Sequence, residues 1–125
     1  MAGDVIGIGI DAVEIERFRV VLGRTPGVAG RLFTDAEQAY GRRARDPVPR
    51  LAARFAAKEA AMKALGVGIG AFRFRDVEVV KEPSGAPSLK LTGAAAELAR
   101  RLGVQALKLS ITHSVTMAEA VVAAL

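Results

Sequence analysis

The sequence predicts an α+β fold, an antiparallel sheet packed against helices in the order β-α-α-α-β-β-α-β-β. Three observations carry that expectation. Strand-like apolar runs occur at the start of the chain and again beyond residue 74. Between them the apolar residues recur at helical spacing, with alanine-rich stretches at 52–64 and 93–102. Short turn-forming segments join the later strands, so that sequence neighbours can pair antiparallel. At 125 residues the chain is read as one domain, 1–125, able to bury about two-thirds of its unfolded surface without disulfides or structural metal.

Residues 5–10 read as a strand, and its glycines, Gly7 and Gly9, suggest close approach by another backbone or a ligand. Residues 12–22 read as a helix with Val13, Phe18, Val21 and Leu22 facing inward and Glu14, Glu16, Arg17 and Arg19 facing out; Gly23 ends it, and Arg24 follows at its exit. Thr25, Pro26 and Gly27 mark a turn. Thr34 and Glu37 form a capping-box pattern that starts a second helix running to about residue 45. Asp46, Pro47, Val48 and Pro49 stop it, and a third helix spans 50–65, closed by Gly66. On that helix Leu51, Phe55 and Met62 share a stripe, with Lys58 and Glu59 on its two flanks. Strands at 75–81 and 88–91 flank a hairpin turn at 82–87. An alanine-rich helix ends at Leu102 before Gly103, and strands at 107–112 and 117–123 close the order.

The net charge of +5 and a pI near 10.2 favour an anionic partner: nucleic acid, a phosphorylated small molecule or an acidic protein. Five phenylalanines, one tyrosine and no tryptophan supply a base-stacking platform poorly. Acids bordering a cleft would also repel a nucleic-acid backbone, so no nucleic acid is expected. Without cysteine, disulfides and thiolate chemistry are excluded. The start of the chain lacks a signal-peptide pattern, and the apolar run at 117–125 is far shorter than the roughly 20 residues of a membrane span. No membrane association and a cytoplasmic setting are the expectations.

Two acids stand out. Asp11 ends the apolar run at 5–10, and Glu59 sits at the edge of the apolar stripe of the third helix. If the fold joins them, two negative charges about 4 Å apart repel by about 4 kcal/mol at an effective dielectric near 20. A divalent cation turns that repulsion into binding, and Mg²⁺ suits one or two carboxylates plus substrate phosphates. Each acid also has a plainer use: Asp11 could cap the helix after it, and Glu59 stands four residues before Lys63, the spacing of an exposed ion pair. Arg54, Lys58 and Lys63 add cations to the same helix, and Gly66, Gly68 and Gly70 beyond it allow backbone N–H groups close to a ligand. His113, the single histidine, lies at a strand end beside Ser110, Thr112 and Ser114, a structural hydrogen-bonder or part of an anion pocket. No dinucleotide fingerprint or nucleophile elbow is present.

Three segments together resemble the holo-acyl-carrier-protein synthases, the small bacterial 4′-phosphopantetheinyl transferases. They are Gly7 to Asp11 with Glu14 to Arg17; Arg54, Phe55, Ala56, Ala57, Lys58, Glu59 and Ala60 with Lys63 to Gly66; and Ser110 to Ser114. The central segment is the most specific, and the likeness extends over nearly the whole chain. The resemblance implies transfer of the phosphopantetheine arm of coenzyme A to a serine of an acidic apo-acyl carrier protein, with release of adenosine 3′,5′-bisphosphate. It further implies Mg²⁺ held by Asp11 and Glu59, with Lys63 also at the reacting centre. Arg54, Lys63, His113, Ser114 and the glycines Gly66, Gly68 and Gly70 would hold coenzyme A. Arg17 and Arg24 would grip the carrier protein, and a homotrimer would carry its active sites between subunits. Two other readings are a small basic nucleic-acid binder and a non-catalytic relative that binds coenzyme A; retention of both acids and Lys63 speaks against the latter.

Overall fold

A computed structural model describes residues 4–125. The chain opens with strand β1 (Gly7–Glu14), followed by helices α1 (Ile15–Arg24), α2 (Val28–Leu32), α3 (Asp35–Arg42) and α4 (Val48–Ala64). A 3₁₀ turn (Phe74–Asp76) leads into the hairpin of β2 (Val77–Lys81) and β3 (Pro87–Leu91). Helix α5 (Gly93–Arg101) and strands β4 (Leu107–His113) and β5 (Met117–Ala124) complete it. The strands form two antiparallel sheets, one in the order β1-β5-β4 and the other the β2-β3 hairpin.

The expected α+β class and its antiparallel pairing are present, with one sheet divided into two and one short helix, α2, added. The element at 117–123, where Ala and Glu favour helix and Val121 and Val122 favour strand, is the central strand of the larger sheet. Its pairing with β4 brings Leu107 opposite Ala124 and His113 opposite Ala118. The helix expected at 12–22 begins only at Ile15, because β1 runs on through Asp11, Ala12, Val13 and Glu14. Those residues pair with Ala120, Glu119, Ala118 and Met117 of β5. That nonlocal ladder overrides the local pattern, so Asp11 lies within the strand rather than at its tip, and helix capping by Asp11 is ruled out. Helix α3 stops at Arg42, and α4 starts at Val48 with Pro49 in its first turn, where a missing N–H costs nothing. Asp46, expected only to break the chain, accepts the Val48 N–H at 3.1 Å.

Helix α4 is the spine. Ala56, Ala57, Ala60 and Ala61 on it have no exposed surface, and the small side chains let β1 lie almost against its backbone. A Cβ at Gly9 would fall 1.9 Å from the Ala60 carbonyl oxygen, and one at Gly7 the same distance from that of Ala64. The close approach read from these glycines is therefore to α4. Alternation along β1 turns Gly9, Asp11 and Val13 toward the helix and leaves Ile8 and Ile10 outside.

On another side of α4, Lys58 is fully buried rather than free beside the cleft. Its Nζ lies 2.7 Å from Glu37 Oε1 and donates to the carbonyls of Phe74 and Val77. Glu37 also accepts the N–H of Val79 at 2.9 Å and, through the capping box, that of Thr34. One ion pair thus ties α3, α4 and β2, and a charge unpaired at that depth would be strongly destabilising.

Candidate active site

One face of β1 lies on α4, and three chemically active side chains converge there. Asp11 comes from the inward parity of β1; Glu59 and Lys63 stand one turn apart on α4. Lys63 Nζ donates to the Ile10 carbonyl at 2.9 Å and to Asp11 Oδ1 at 3.3 Å. Asp11 and Glu59 line one open cavity of about 330 Å³, along with Glu14 and Arg17. Val13, Phe18, Phe55 and Met117 give this cavity an apolar lining. Phe18 and Phe55 stack at 5.1 Å between centroids, and Phe74 backs Phe55 at 5.5 Å.

Burial pushes the Glu59 carboxyl above its ordinary value; the charge of Asp11 adds to the effect, and Lys63 opposes it. The direction follows from a partly buried carboxyl beside a second acid that one lysine only partly offsets. All-oxygen donors on two carboxylates, beside room for further oxygens, suit Mg²⁺. Among the described residues no group of three or more His, Cys, Asp and Glu side chains gathers into a protein-only cage, so substrate oxygens and water would complete such a site.

A second groove, about 390 Å³, shares no lining residue with the first. It is walled by Tyr40 of α3, Arg50 and Arg54 of α4, Lys81 of β2 and His113 of β4. Burial pushes the Arg54 guanidinium down from its ordinary value, and its Nε has no hydrogen-bond partner. The groove is lined by four cationic or potentially cationic side chains and no acid, a surface suited to an anion.

A family model for the 4′-phosphopantetheinyl transferase superfamily matches residues 7–124. The chain belongs to that superfamily. It is 49% identical over 120 residues to a holo-[acyl-carrier-protein] synthase of Streptomyces avermitilis, covering 96% of this chain and 97% of that one. A synthase of the same description from Moorella thermoacetica is 45% identical, with 90% and 88% covered. Among solved structures, the holo-[acyl-carrier-protein] synthase of Neisseria meningitidis superposes with a TM-score of 0.88 at 34% identity, over 98% of this chain and 99% of that one. The Helicobacter pylori synthase, solved in complex with coenzyme A, gives 0.83 at 34%, over 94% and 99%. The chain is thus a phosphopantetheinyl transferase by family.

In this transferase the fold brings Asp11, Glu59 and Arg17 together in the lining of the first cavity, with Lys63 bonded to Asp11, and Arg54 and His113 in the second groove. It does not gather the remaining expected residues into either lining. Gly66, Gly68 and Gly70 follow α4 in open space, Gly66 and Gly70 with φ of 75° and 104°. Ser114 accepts the Met117 N–H at 3.2 Å and so shapes the β4–β5 turn. Arg24 is exposed at the end of α1. The sequence pattern does not single out Tyr40, Arg50 or Lys81, which line the second groove. The four-residue spacing of Arg50 and Arg54 is visible in the sequence, but the aromatic ring they share comes from another helix.

Proposed function

We propose that this transferase moves the 4′-phosphopantetheine arm of coenzyme A to a serine hydroxyl of an acidic apo-acyl carrier protein, using Mg²⁺ and releasing adenosine 3′,5′-bisphosphate. The observation that carries the reading is the shared cavity of Asp11 and Glu59, with Lys63 bonded to Asp11. In the reaction the serine Oγ forms a bond to the pantetheine-side phosphorus, the bridging P–O bond breaks, and the serine proton passes to a carboxylate of the cavity or to water. In-line transfer of this kind asks a protein mainly for positioning and charge neutralisation. Asp11 and Glu59 hold Mg²⁺, which when bound supplies positive charge to the diphosphate oxygens. Lys63, already anchored on Asp11, offsets the charge left on the departing bisphosphate. Arg54, His113 and Ser114, with the backbone at Gly66, Gly68 and Gly70, bind coenzyme A. Arg17 and Arg24 on α1 steer the acidic carrier, an effect that raises association rate more than affinity.

The reading includes a homotrimer with active sites between subunits, in a cytoplasmic setting. Two features support the assembly. The outer face of the larger sheet presents Ile8 and Ile10, each 67% exposed, beside Val121, an apolar surface of the sort that subunit contacts cover. The acidic cavity and the basic groove are also separate within one chain, and juxtaposed copies would let one subunit's groove complete its neighbour's cavity. No helix of the described residues is long and apolar enough to cross a membrane.

The deciding experiment is intact-mass analysis of an apo-acyl carrier protein incubated with this protein, coenzyme A and Mg²⁺. A gain of one phosphopantetheine unit is expected, and an unchanged mass would overturn the assignment.

A further inference from the structure

Building on that reading, we infer that Tyr40 is a positioning residue: its ring gathers Arg50, Arg54 and Lys81 into one receptor for the anionic nucleotide end of coenzyme A. Arg50 and Arg54 stand one helical turn apart, where two like charges disfavour each other. Both nevertheless turn to the same ring. The Arg54 Cζ lies 4.0 Å from the Tyr40 centroid and that of Arg50 4.4 Å, with Lys81 Nζ at 5.8 Å. The negative face of an aromatic ring attracts such cations. Tyr40 holds Arg50 a second time, since its backbone carbonyl accepts the Arg50 Nη1–H at 2.9 Å.

A purely structural stack needs one cation. Here three converge, and the groove they line with His113 contains no Asp or Glu. Glu37, one turn before Tyr40 on α3, is committed to Lys58 and to the N–H groups of Thr34 and Val79. Arg54 is only 8% exposed, yet its Nε donates to nothing, the one such buried side-chain atom among the described residues. Guanidinium forks match phosphate oxygens, so an incoming phosphate supplies the negative charge that the lining of the groove lacks. The ring's part is to hold the forks in place beforehand, which lowers the ordering cost of binding.

Tyr40→Leu, Tyr40→Phe and Arg50→Met test this by transfer kinetics and by calorimetric titration with adenosine 3′,5′-bisphosphate. Tyr40→Leu is expected to weaken bisphosphate binding and raise KM for coenzyme A about 3- to 30-fold. The kcat at saturating coenzyme A and the KM for carrier protein should stay near wild type. Tyr40→Phe keeps the ring and loses only the hydroxyl's contact with Arg54, so it should keep most of the binding, whereas Arg50→Met, which leaves the ring intact, should weaken it. Wild-type affinity in Tyr40→Leu would overturn the inference. So would a parallel loss of kcat, both KM values and melting temperature, the mark of a merely structural ring. Should Tyr40→Leu misfold, wild-type affinity in Arg50→Met overturns it instead. A wild-type protein that binds the bisphosphate through this groove but leaves the carrier unmodified would sink the transferase reading alone.

Discussion

Replacing Gly9 by alanine adds one methyl group at the tightest contact between β1 and α4. The new Cβ would sit 1.9 Å from the Ala60 carbonyl oxygen and 2.8 Å from the Ala64 nitrogen, against a floor of 3.0 Å for real Cβ contacts. Both neighbours are backbone, so no rotamer change relieves the clash; strand and helix must part by at least 1.1 Å at that point. Overpacking of this kind costs about 1–3 kcal/mol or more. With an unfolding entropy near 2.1 cal/mol/K per residue, a chain of 125 residues should melt about 4–12 °C lower. The same displacement draws Asp11 away from Lys63, now 3.3 Å apart, so transfer activity should fall beyond what unfolding explains. Gly23→Ala is the matched control: nothing lies within 4 Å of its Cβ position and its φ is not positive. At exposed Gly23, within the last turn of α1, that change should be neutral or stabilising by up to about 1 kcal/mol. Thermal melts followed by circular dichroism compare the two. A Gly9→Ala protein melting at or above wild type would refute the argument that glycine is required here by packing.

Other outcomes follow from the charged groups. Lys58→Met should cost about 3–5 kcal/mol in urea unfolding by leaving Glu37 buried and unpaired, and adding Glu37→Leu should recover part of the loss. Glu59 has its carboxyl raised above its ordinary 4.5, so its contribution to stability is fully present below that pH and is lost as pH rises through the folded value. Metal-free Glu59→Gln should therefore melt above wild type at pH 7, with the difference shrinking toward pH 4. The opposite sign holds for Asp46, whose carboxyl is lowered from 3.8 chiefly by the Arg19 guanidinium. Its contribution is present above that value and is lost as pH falls, so Asp46→Asn should flatten the acid limb of the stability curve. Arg17→Glu should raise KM for carrier protein far more than KM for coenzyme A; equal effects would remove Arg17 from the docking surface.

What could be read from the sequence was what local chemistry decides. The Thr34–Glu37 capping box forms as expected because its two hydrogen bonds join residues three apart. Strand β4 shows clean alternation and emerges within a residue of its expected end. The start of α1 departs from the local pattern because Ala12, Val13 and Glu14 are held extended by β5, more than a hundred residues later. Lys58 illustrates the same limit: on a helical wheel it flanks the apolar stripe much as Glu59 does, and only the distant Glu37 explains its burial. At the candidate site, Asp11 and Glu59 were singled out by their settings, but their meeting depends on the register of β1 against α4. The groove around Tyr40 was illegible for a related reason, since α3, α4, β2 and β4 each contribute to it.

A magnesium titration followed by melting temperature, starting from chelator-treated protein, probes the pairing of Asp11 with Glu59 most directly. A cation bound only by the folded state raises stability with its concentration. The wild-type melting temperature should climb with MgCl₂, and Asp11→Asn or Glu59→Gln should each abolish the climb. If both variants respond to magnesium as fully as the wild type, the two acids do not form the cation site.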